Sequence, residues 1–341
     1  MKKIIVIILL LVFIVTPYFL YEYNINVNNS PRNDQQIQFE VKRGEGVKQI
    51  SNNLFDQGLI RSKFFFELYI WLNHLDNKLQ AGIYNLKRSA NIKEIAQILS
   101  TGDVINREKE IKIIEGWNIK DIDKYLKDNH IIKDDSFLTI ASRPVSQWNF
   151  SFERPSFLED VPPGANLEGF LFPDTYRIYN NASAEDIVFK MLSNFDKKVN
   201  SQMRADILKQ GKSLYEIIIL ASIIEKEVRS EEDMKIVSGI FWNRLKRGQP
   251  LESCATLAYV LGINKKQYTK RDTEIDSPYN TYRYSGLPPG PICNPSLKAI
   301  RAAIYPVYTD YNYFLTSFVD GKTIFSRTYQ EHLKNKAKYL K

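Results

Sequence analysis

Cysteine and histidine are nearly absent. Two cysteines, Cys254 and Cys293, and three histidines, His74, His130 and His332, are all that 341 residues contain. The scarcity removes whole classes of chemistry. No His-Glu-x-x-His pair is present for zinc, the cysteine spacing suits no metal site, and no histidine sits near a Gly-x-Ser-x-Gly elbow. A phosphate-cradling P-loop and a dinucleotide Gly-x-Gly-x-x-Gly are also missing. The formal net charge is +8, yet the lysines are spread along the chain and no nucleic-acid-binding signature accompanies them. An anionic polymer or an anionic membrane surface attracts the same charge. What remains is a hydrolase or lyase working through carboxyl groups.

The rest of the composition is that of a globular body with room for two modest domains, 44% hydrophobic and 25% charged. Tyrosine and phenylalanine are abundant, at 20 and 19. Such a surplus serves core packing first and carbohydrate stacking second. At the N-terminus Lys2 and Lys3 precede an apolar run, Ile4–Tyr21, close to the roughly 20 residues that span a bilayer. No basic residue follows until Arg32, which orients the N-terminus inward and the body outward. No small-x-small cleavage site follows the run, so an uncleaved anchor over 4–22 is expected, with a cytoplasmic tail of residues 1–3. The polar stretch 23–36 reads as a tether.

An internal repeat comes next. FEVKRGEGVKQISNNLFDQGLI (39–60) matches IKIIEGWNIKDIDKYLKDNHII (111–132), aligning Gly44 with Gly116, Lys48 with Lys120 and Leu54 with Leu126. Between them NIKEIAQIL (91–99) is a further copy of the helical half, so that 111–132 is the third in chain order. Each reads as strand, turn and amphipathic helix, too small to bury its apolar face alone. The copies define a module over 37–132, similar to LysM-type carbohydrate-binding units or else a structural spacer. Residues 133–165, with prolines at 144, 155, 162 and 163, read as a linker or insertion.

The downstream part, 166–341, holds the site candidates. In NLEGFLFPDTYRI (166–178) the Phe-Pro-Asp turn is expected to end a strand. Helices are expected over 184–200 and 214–229. A further helix is capped by Ser230, with Glu231, Glu232 and Asp233 in its first turn and Gly248 past its end. Asn294 and Pro295 read as N-cap and first residue of the next helix. Residues 314–326 form a hairpin on an Asp-Gly turn, and TYQE (328–331) is a capping box.

Seven of the ten residues before Glu225 are aliphatic, and the run then stops on a carboxylate. Spacings of four and seven set Glu225 below Ala221 and Ile218, in the last helical turn. Desolvation and the negative end of the helix dipole both raise a carboxyl pKa there, as a general acid requires. Glu227 sits on another side, beside Leu220, Ile223 and Ile224. Position alone does not separate the two, and a glutamate capping a surface helix remains the plainer reading of either.

A resemblance separates them. LEGFLFPDTY, ASIIEKE, FWNRL, LESCATLAYVLG, SPYNTYRYSGLPPGPICNPSLKAI and DGKTIFSRTYQEH stand in the order of the MltG (YceG-like) family. Its members are membrane-anchored endolytic murein transglycosylases. Upstream, GEGVKQIS, LQAGIYNL and IIEGWNIKDI are similar to the family's LysM-like region. The resemblance implies an α+β chain with an N-terminal transmembrane helix, a LysM-like α/β module and a mixed α/β catalytic domain. It implies that Glu225 is the catalytic acid. It also implies a single-pass protein of the cytoplasmic membrane with its catalytic domain outside, cutting the β-1,4 bond between N-acetylmuramic acid and N-acetylglucosamine in nascent glycan strands. The muramic 6-hydroxyl attacks its own C1 and leaves a 1,6-anhydro end, ending strand elongation. No metal or cofactor is needed, no nucleic acid is a partner, and penicillin-binding synthases are expected neighbours.

Within this reading Glu168, Asp174 and Glu252 are candidate helpers. Tyr279, Asn280 and Tyr282 suit stacking and amide bonding to N-acetyl sugars. Asn243 and Arg244 suit acetamido or lactyl groups, or else helix packing. LPPGP forms a rigid wall of the cleft. Many members carry Asp in the stretch matching LESCAT, where this chain has Cys254. Since Cys293 falls in the other motif of that region, a Cys254–Cys293 disulfide is expected. It would close a loop of roughly 40 residues and contribute about 3–4 kcal/mol. Two readings compete with the transglycosylase: a non-catalytic wall-binding scaffold, and a muramidase that activates water with Glu225 and one of Glu168, Asp174 or Glu252.

Overall fold

The computed structural model describes residues 15–28, 35–42, 44–102, 108–265, 267–317 and 320–340. Most of the expected anchor, residues 4–14, lies outside them. Its described remainder belongs to a helix over 15–26 (α1). Among the described residues no helix is long and apolar enough to cross a membrane.

The chain forms two compact units, each around its own core. The first runs to Glu108 and includes 179–181; the second comprises Lys109–Ile178 and the chain from Ala182 onward. In the first, β1 (Gln36–Val41) pairs antiparallel with β2 (Gly82–Lys87), Gln36 facing Lys87 and Val41 facing Gly82. Alternation turns Phe39, Val41, Tyr84 and Leu86 inward. Two strands alone are marginal in water. Helices α2 (Val47–Asp56), α3 (Lys63–Leu72) and α4 (Ile92–Thr101) cover them, burying Ile50, Leu54, Phe66, Ile70, Ile95 and Leu99. Each such side chain contributes roughly 1.5–3 kcal/mol.

The strand-turn-helix reading of the repeat holds in all three copies: β1 with α2, β2 with α4, and β3 (Glu108–Lys112) with α5 (Ile119–Asp128). The copies do not share one core. The first two pack together, whereas α5 buries Ile119, Ile122 and Leu126 in the core of the second unit. Asn91 and Asn118 make reciprocal capping boxes with Glu94 and Asp121.

In the second unit β3 pairs with β4 (Thr175–Tyr179). The Phe-Pro-Asp turn therefore precedes a strand rather than ending one. Tyr176 of that strand bonds back to the carbonyl of Phe172. Around the sheet lie α6 (Ser136–Ala141), α7 (Ala184–Lys198), α8 (Ser201–Lys209), α9 (Leu214–Glu227), α10 (Glu231–Lys246), α11 (Cys254–Leu261), the short α12 (Lys270–Thr273) and α13 (Leu297–Ile304). A hairpin, β5 (Tyr313–Thr316) and β6 (Thr323–Ser326), precedes the last helix α14 (Tyr329–Tyr339). Every residue of α9 from Leu214 to Ile224 is buried except Glu216. That is why its sequence shows a continuous apolar run rather than a stripe: neighbours cover it on all sides, chiefly α13, with α10 and α11 beside it.

Two expected caps differ in detail. The α13 N-cap is Ser296, not Asn294, because the Asn294 side chain is drawn into the core. Thr328 does cap α14, but Glu331 reaches the amide of Arg327 instead of closing the box on Thr328.

Candidate active site

Helix α9 stops where Val228 turns extended, at φ −141°. Its last turn carries Glu225, Lys226 and Glu227 out of the core. Glu225 is half-buried. Its Oε2 accepts two hydrogen bonds from Ser296, one from the amide at 2.9 Å and one from Oγ at 2.5 Å. Ser296 thus caps α13 and grips the glutamate with the same hydroxyl, which also accepts from the Ala299 amide at 3.3 Å. Burial raises the Glu225 pKa; the two Ser296 bonds favour the carboxylate and oppose the rise without cancelling it, and the charge of Glu115 adds to it.

A turn from the third repeat copy closes over this carboxyl. Lys226 Nζ donates to the Gly116 carbonyl at 3.1 Å, and the Gly116 amide donates to the Asn294 carbonyl at 2.9 Å. Gly116 has φ +78°, and a Cβ there would stand 3.5 Å from Glu225 Cγ and 3.4 Å from Lys226 Cδ. Glycine supplies both the left-handed backbone and the close approach.

Glu225 stands between two open depressions. One, about 360 Å³, is lined by Glu115, Glu225, Glu227, Cys254, Lys265 and Tyr268. The other, about 560 Å³, is lined by Glu225, Arg229, Asp233, Thr316, Lys322 and Thr323. Glu227 borders both, but its carboxyl is turned to the start of α11, where it accepts from Ser253 Oγ. Burial raises its pKa against that bond and the Ala255 amide.

The candidate helpers are elsewhere. Glu168 is buried, accepting from the Ile119 amide and from Asn294 Nδ2, both at 3.1 Å. Burial pushes its pKa to about 8. Asn294 is the hub of this region: Oδ1 accepts from the Gly169 and Leu171 amides, each at 2.9 Å, and Nδ2 also donates to the Trp117 carbonyl at 3.0 Å. Asp174 is bound to Asn194 and Lys198; burial alone would raise its pKa, but those partners and the Thr175 amide lower it overall. Glu252 pairs with Arg244 at 3.1 Å.

The expected binding residues are largely committed to the fold. Asn243 donates to the Thr309 carbonyl at 3.1 Å, and Arg244 bonds the carbonyls of Pro250, Leu251 and Asn312. Fully buried Asn280 bonds the carbonyls of Thr273 and Ile275 and the Tyr282 amide. Tyr279 packs against Tyr259, ring centroids 5.0 Å apart, and a Cβ on Gly290 would lie 2.9 Å from its hydroxyl. The LPPGP segment therefore packs against Tyr279 and Tyr215. Among the described residues, Tyr268 is the tyrosine that faces the depressions beside Glu225.

The expected disulfide does not form. Cys293 is buried and donates to the Ser222 carbonyl at 3.3 Å, while exposed Cys254 lies 3.1 Å from the Tyr282 hydroxyl. Grouping two motifs in one region placed the residues near each other, but each thiol is aimed at a different partner. Burial raises the pKa of both. Sequence reasoning also missed Ser296, Gly116 and the Asn294 hub. Their only signals were the repeat glycine and the serine after Asn-Pro.

An endolytic murein transglycosylase of Bacillus subtilis is 31% identical over 314 residues, covering 89% of this chain and 85% of the relative. One from Streptococcus pneumoniae is 29% identical over 351 residues, covering 95% of this chain; the chain spans 62% of that relative's length. A crystal structure of a yceG-like protein from Listeria monocytogenes matches with a TM-score of 0.58 at 31% identity, covering 88% of this chain and 99% of that one. The profile of the YceG-like family matches residues 39–338, from the first strand to the last helix, and the chain belongs to that family.

Proposed function

We propose that the chain is an endolytic murein transglycosylase with Glu225 as its acid and base. The observation that carries the reading is a carboxyl whose pKa is raised by burial, gripped by Ser296 on one oxygen and set between two open depressions. An internal bond of a polymer needs room for sugars on both sides of the cut, and the two depressions supply it. Glu225 donates its proton to the glycosidic oxygen as the C1–O bond breaks, so N-acetylglucosamine leaves as a neutral alcohol. The resulting carboxylate takes the proton of the muramic 6-hydroxyl as O6 bonds to C1. One group serves twice, and neither water nor an enzyme nucleophile is consumed. Ser296 holds the ionised intermediate state without abolishing the raised pKa that starts the reaction.

A muramidase reading needs a second carboxyl beside the bond, about 5–9 Å from the first. Glu168, Asp174 and Glu252 are each engaged elsewhere, whereas Glu115 borders the same depression as Glu225. Glu227 and Asp233 also border these depressions but accept from Ser253 Oγ and Thr323 Oγ1, so Glu115 is the residue through which water would be activated.

The remaining parts of the reading are proposals of the same kind. The apolar run after Lys2 and Lys3 anchors the protein in the cytoplasmic membrane with the body outside. The strand-turn-helix copies act as a LysM-like glycan-binding module. Glycan strands are the substrate, peptidoglycan synthases are neighbours, and cutting nascent strands near the bilayer ends their elongation.

The test is digestion of uncrosslinked glycan strands, with Glu225→Gln and Glu115→Gln in parallel and products read by mass spectrometry. Anhydro-muramic ends are expected from the parent and from Glu115→Gln. Glu225→Gln should lose roughly 10²–10⁴-fold in rate. Reducing ends, lost in Glu115→Gln, would replace this reading with the muramidase. No cleavage by the parent would overturn both.

A further inference from the structure

A third cavity in the same unit, about 370 Å³, is lined by three guanidinium groups: Arg244, Arg247 and Arg327. One lining carboxylate, Glu252, opposes them, and Asp310 lies behind Arg327 at 2.6 Å from its Nε. The three arginines differ in what they have left to offer. Arg244 is spent on the fold, as described. Arg247 uses Nη1 on Asn312 Oδ1, at 3.0 Å, and Arg327 uses Nε on Asp310. Both are exposed, and their remaining guanidinium nitrogens make no hydrogen bond among the described residues, the Arg327 group lying 5.1 Å from the centroid of the Tyr311 ring. A planar fork with free donors is matched by a carboxylate, which accepts two parallel bonds.

The cavity is joined to the Glu225 region by two short stretches of chain. Glu252 lines it, and Cys254, two residues on, lines the depression beside Glu225. Two residues reach at most about 7 Å. On the other side Tyr313 lines it at the start of β5, and Thr316 at the end of β5 lines the second depression. Those three steps of strand span about 10 Å. Glu252 itself has φ +52°, a left-handed conformation that a non-glycine residue seldom adopts. Held there by Arg244, it keeps the acidic side chain at the wall of the arginine cavity. Strained backbone of this kind persists where the surroundings enforce it, and it clusters at sites that bind.

We propose that this cavity is a subsite for a carboxylate of the peptide carried by the substrate's sugars, engaged while the glycan lies across Glu225. The proposal rests on the murein reading above, since that polymer bears acidic peptides on alternate sugars. Arg247 and Arg327 are its binding residues. Glu252 sets the selectivity, opposing a second negative charge in a cavity of this size.

Binding separates this proposal from the reaction itself. The full-length Glu225→Gln protein would be titrated with peptide-bearing glycan strands and with strands from which the peptides have been removed. Loss of the peptides should weaken binding about tenfold, the worth of one well-placed charge-assisted bond. Adding Arg247→Gln and Arg327→Gln should abolish that difference and leave affinity for bare strands unchanged. Equal binding of both strands by the Glu225→Gln protein, or an undiminished preference in the arginine variants, would overturn the subsite. Binding to neither strand would overturn it too. The reaction type is read separately, from the ends left by the parent enzyme, so either conclusion can fail alone.

Discussion

Ser296→Ala tests the assignment of Glu225 most directly. The substitution removes one of two hydrogen bonds to Oε2 and leaves the amide bond at 2.9 Å in place. The lost bond favours the ionised form, so its removal raises the Glu225 pKa further. A hydrogen bond to a charged group contributes about 1.5–3 kcal/mol, and one pKa unit corresponds to about 1.36 kcal/mol. Glu225 is half-buried, so solvent takes over part of the lost interaction and the lower end applies. The expected displacement is about one pH unit. Its sign follows from the role: the first step needs the protonated acid, so activity falls as pH rises through the Glu225 pKa. In Ser296→Ala that alkaline limb moves to higher pH. The second step uses the carboxylate as base, so the rate on the acidic plateau changes less. The variant also loses the α13 cap, at a cost of about 1 kcal/mol in stability. Thermal unfolding measures that cost independently, because a lost cap lowers melting temperature without moving a pH limb. The assay is release of anhydro-muramic ends from glycan strands between pH 5 and 9. An alkaline limb that stays fixed or moves down, with activity lost evenly across pH, would refute the pairing of Ser296 with a titrating acid.

Three further outcomes follow from other parts of the site. Glu168 has a folded pKa of about 8 against an ordinary 4.5, so the folded state holds a proton that the unfolded state releases between those values. Its contribution to stability is complete below about pH 4.5 and is lost progressively up to about pH 8; Glu168→Gln should flatten that slope in melting temperature, and an unchanged slope would contradict the burial of this carboxyl. Gly116→Ala imposes a Cβ at φ +78° beside Glu225, a strain of about 1–2 kcal/mol, and should lower activity more than thermal stability; a variant with parental activity would mean that the turn does not hold the glutamate. Without reductant, an alkylating reagent should modify Cys254 alone in the native protein and both cysteines after denaturation; no modification after denaturation would restore the disulfide.

The half-buried setting of Glu225 was legible in a local pattern: a helix apolar on every side must be enclosed, and the carboxyl that ends it is half-buried as a consequence; what set Glu225 apart from Glu227 was the family resemblance, not position. Caps at Ser230 and turns at Gly248 and Gly321 were legible for the same reason, being decided within four residues. Ser296 was not. Its partner lies 71 residues away, and the local rule preferred Asn294 before proline. Tertiary competition decided the matter, since two buried amides at Gly169 and Leu171 need an acceptor and Asn294 supplies it. The thiols failed differently. Motif order brings Cys254 and Cys293 into one region but says nothing of the direction in which each side chain leaves its backbone. Asn243, Arg244 and Asn280 have the chemistry of sugar ligands, yet the same donors serve as staples for irregular backbone, and sequence does not separate those uses.

The turn around Gly116 changes how the repeat can be inherited. A duplicated module normally frees its copies to diverge, because any one of them can be lost while the others persist. Here the copies have unequal freedom. The first has Gly46 where the third has Asn118, and its helix begins without a side-chain cap. The third has been captured: its helix buries Ile119, Ile122 and Leu126 in the core of the second unit, and a Cβ on its glycine would stand 3.5 Å from Glu225 Cγ. Shuffling the repeat as a unit between proteins would therefore carry away part of the reaction centre. The seam between the compact units lies near residue 108, inside the row of repeats and before its last member.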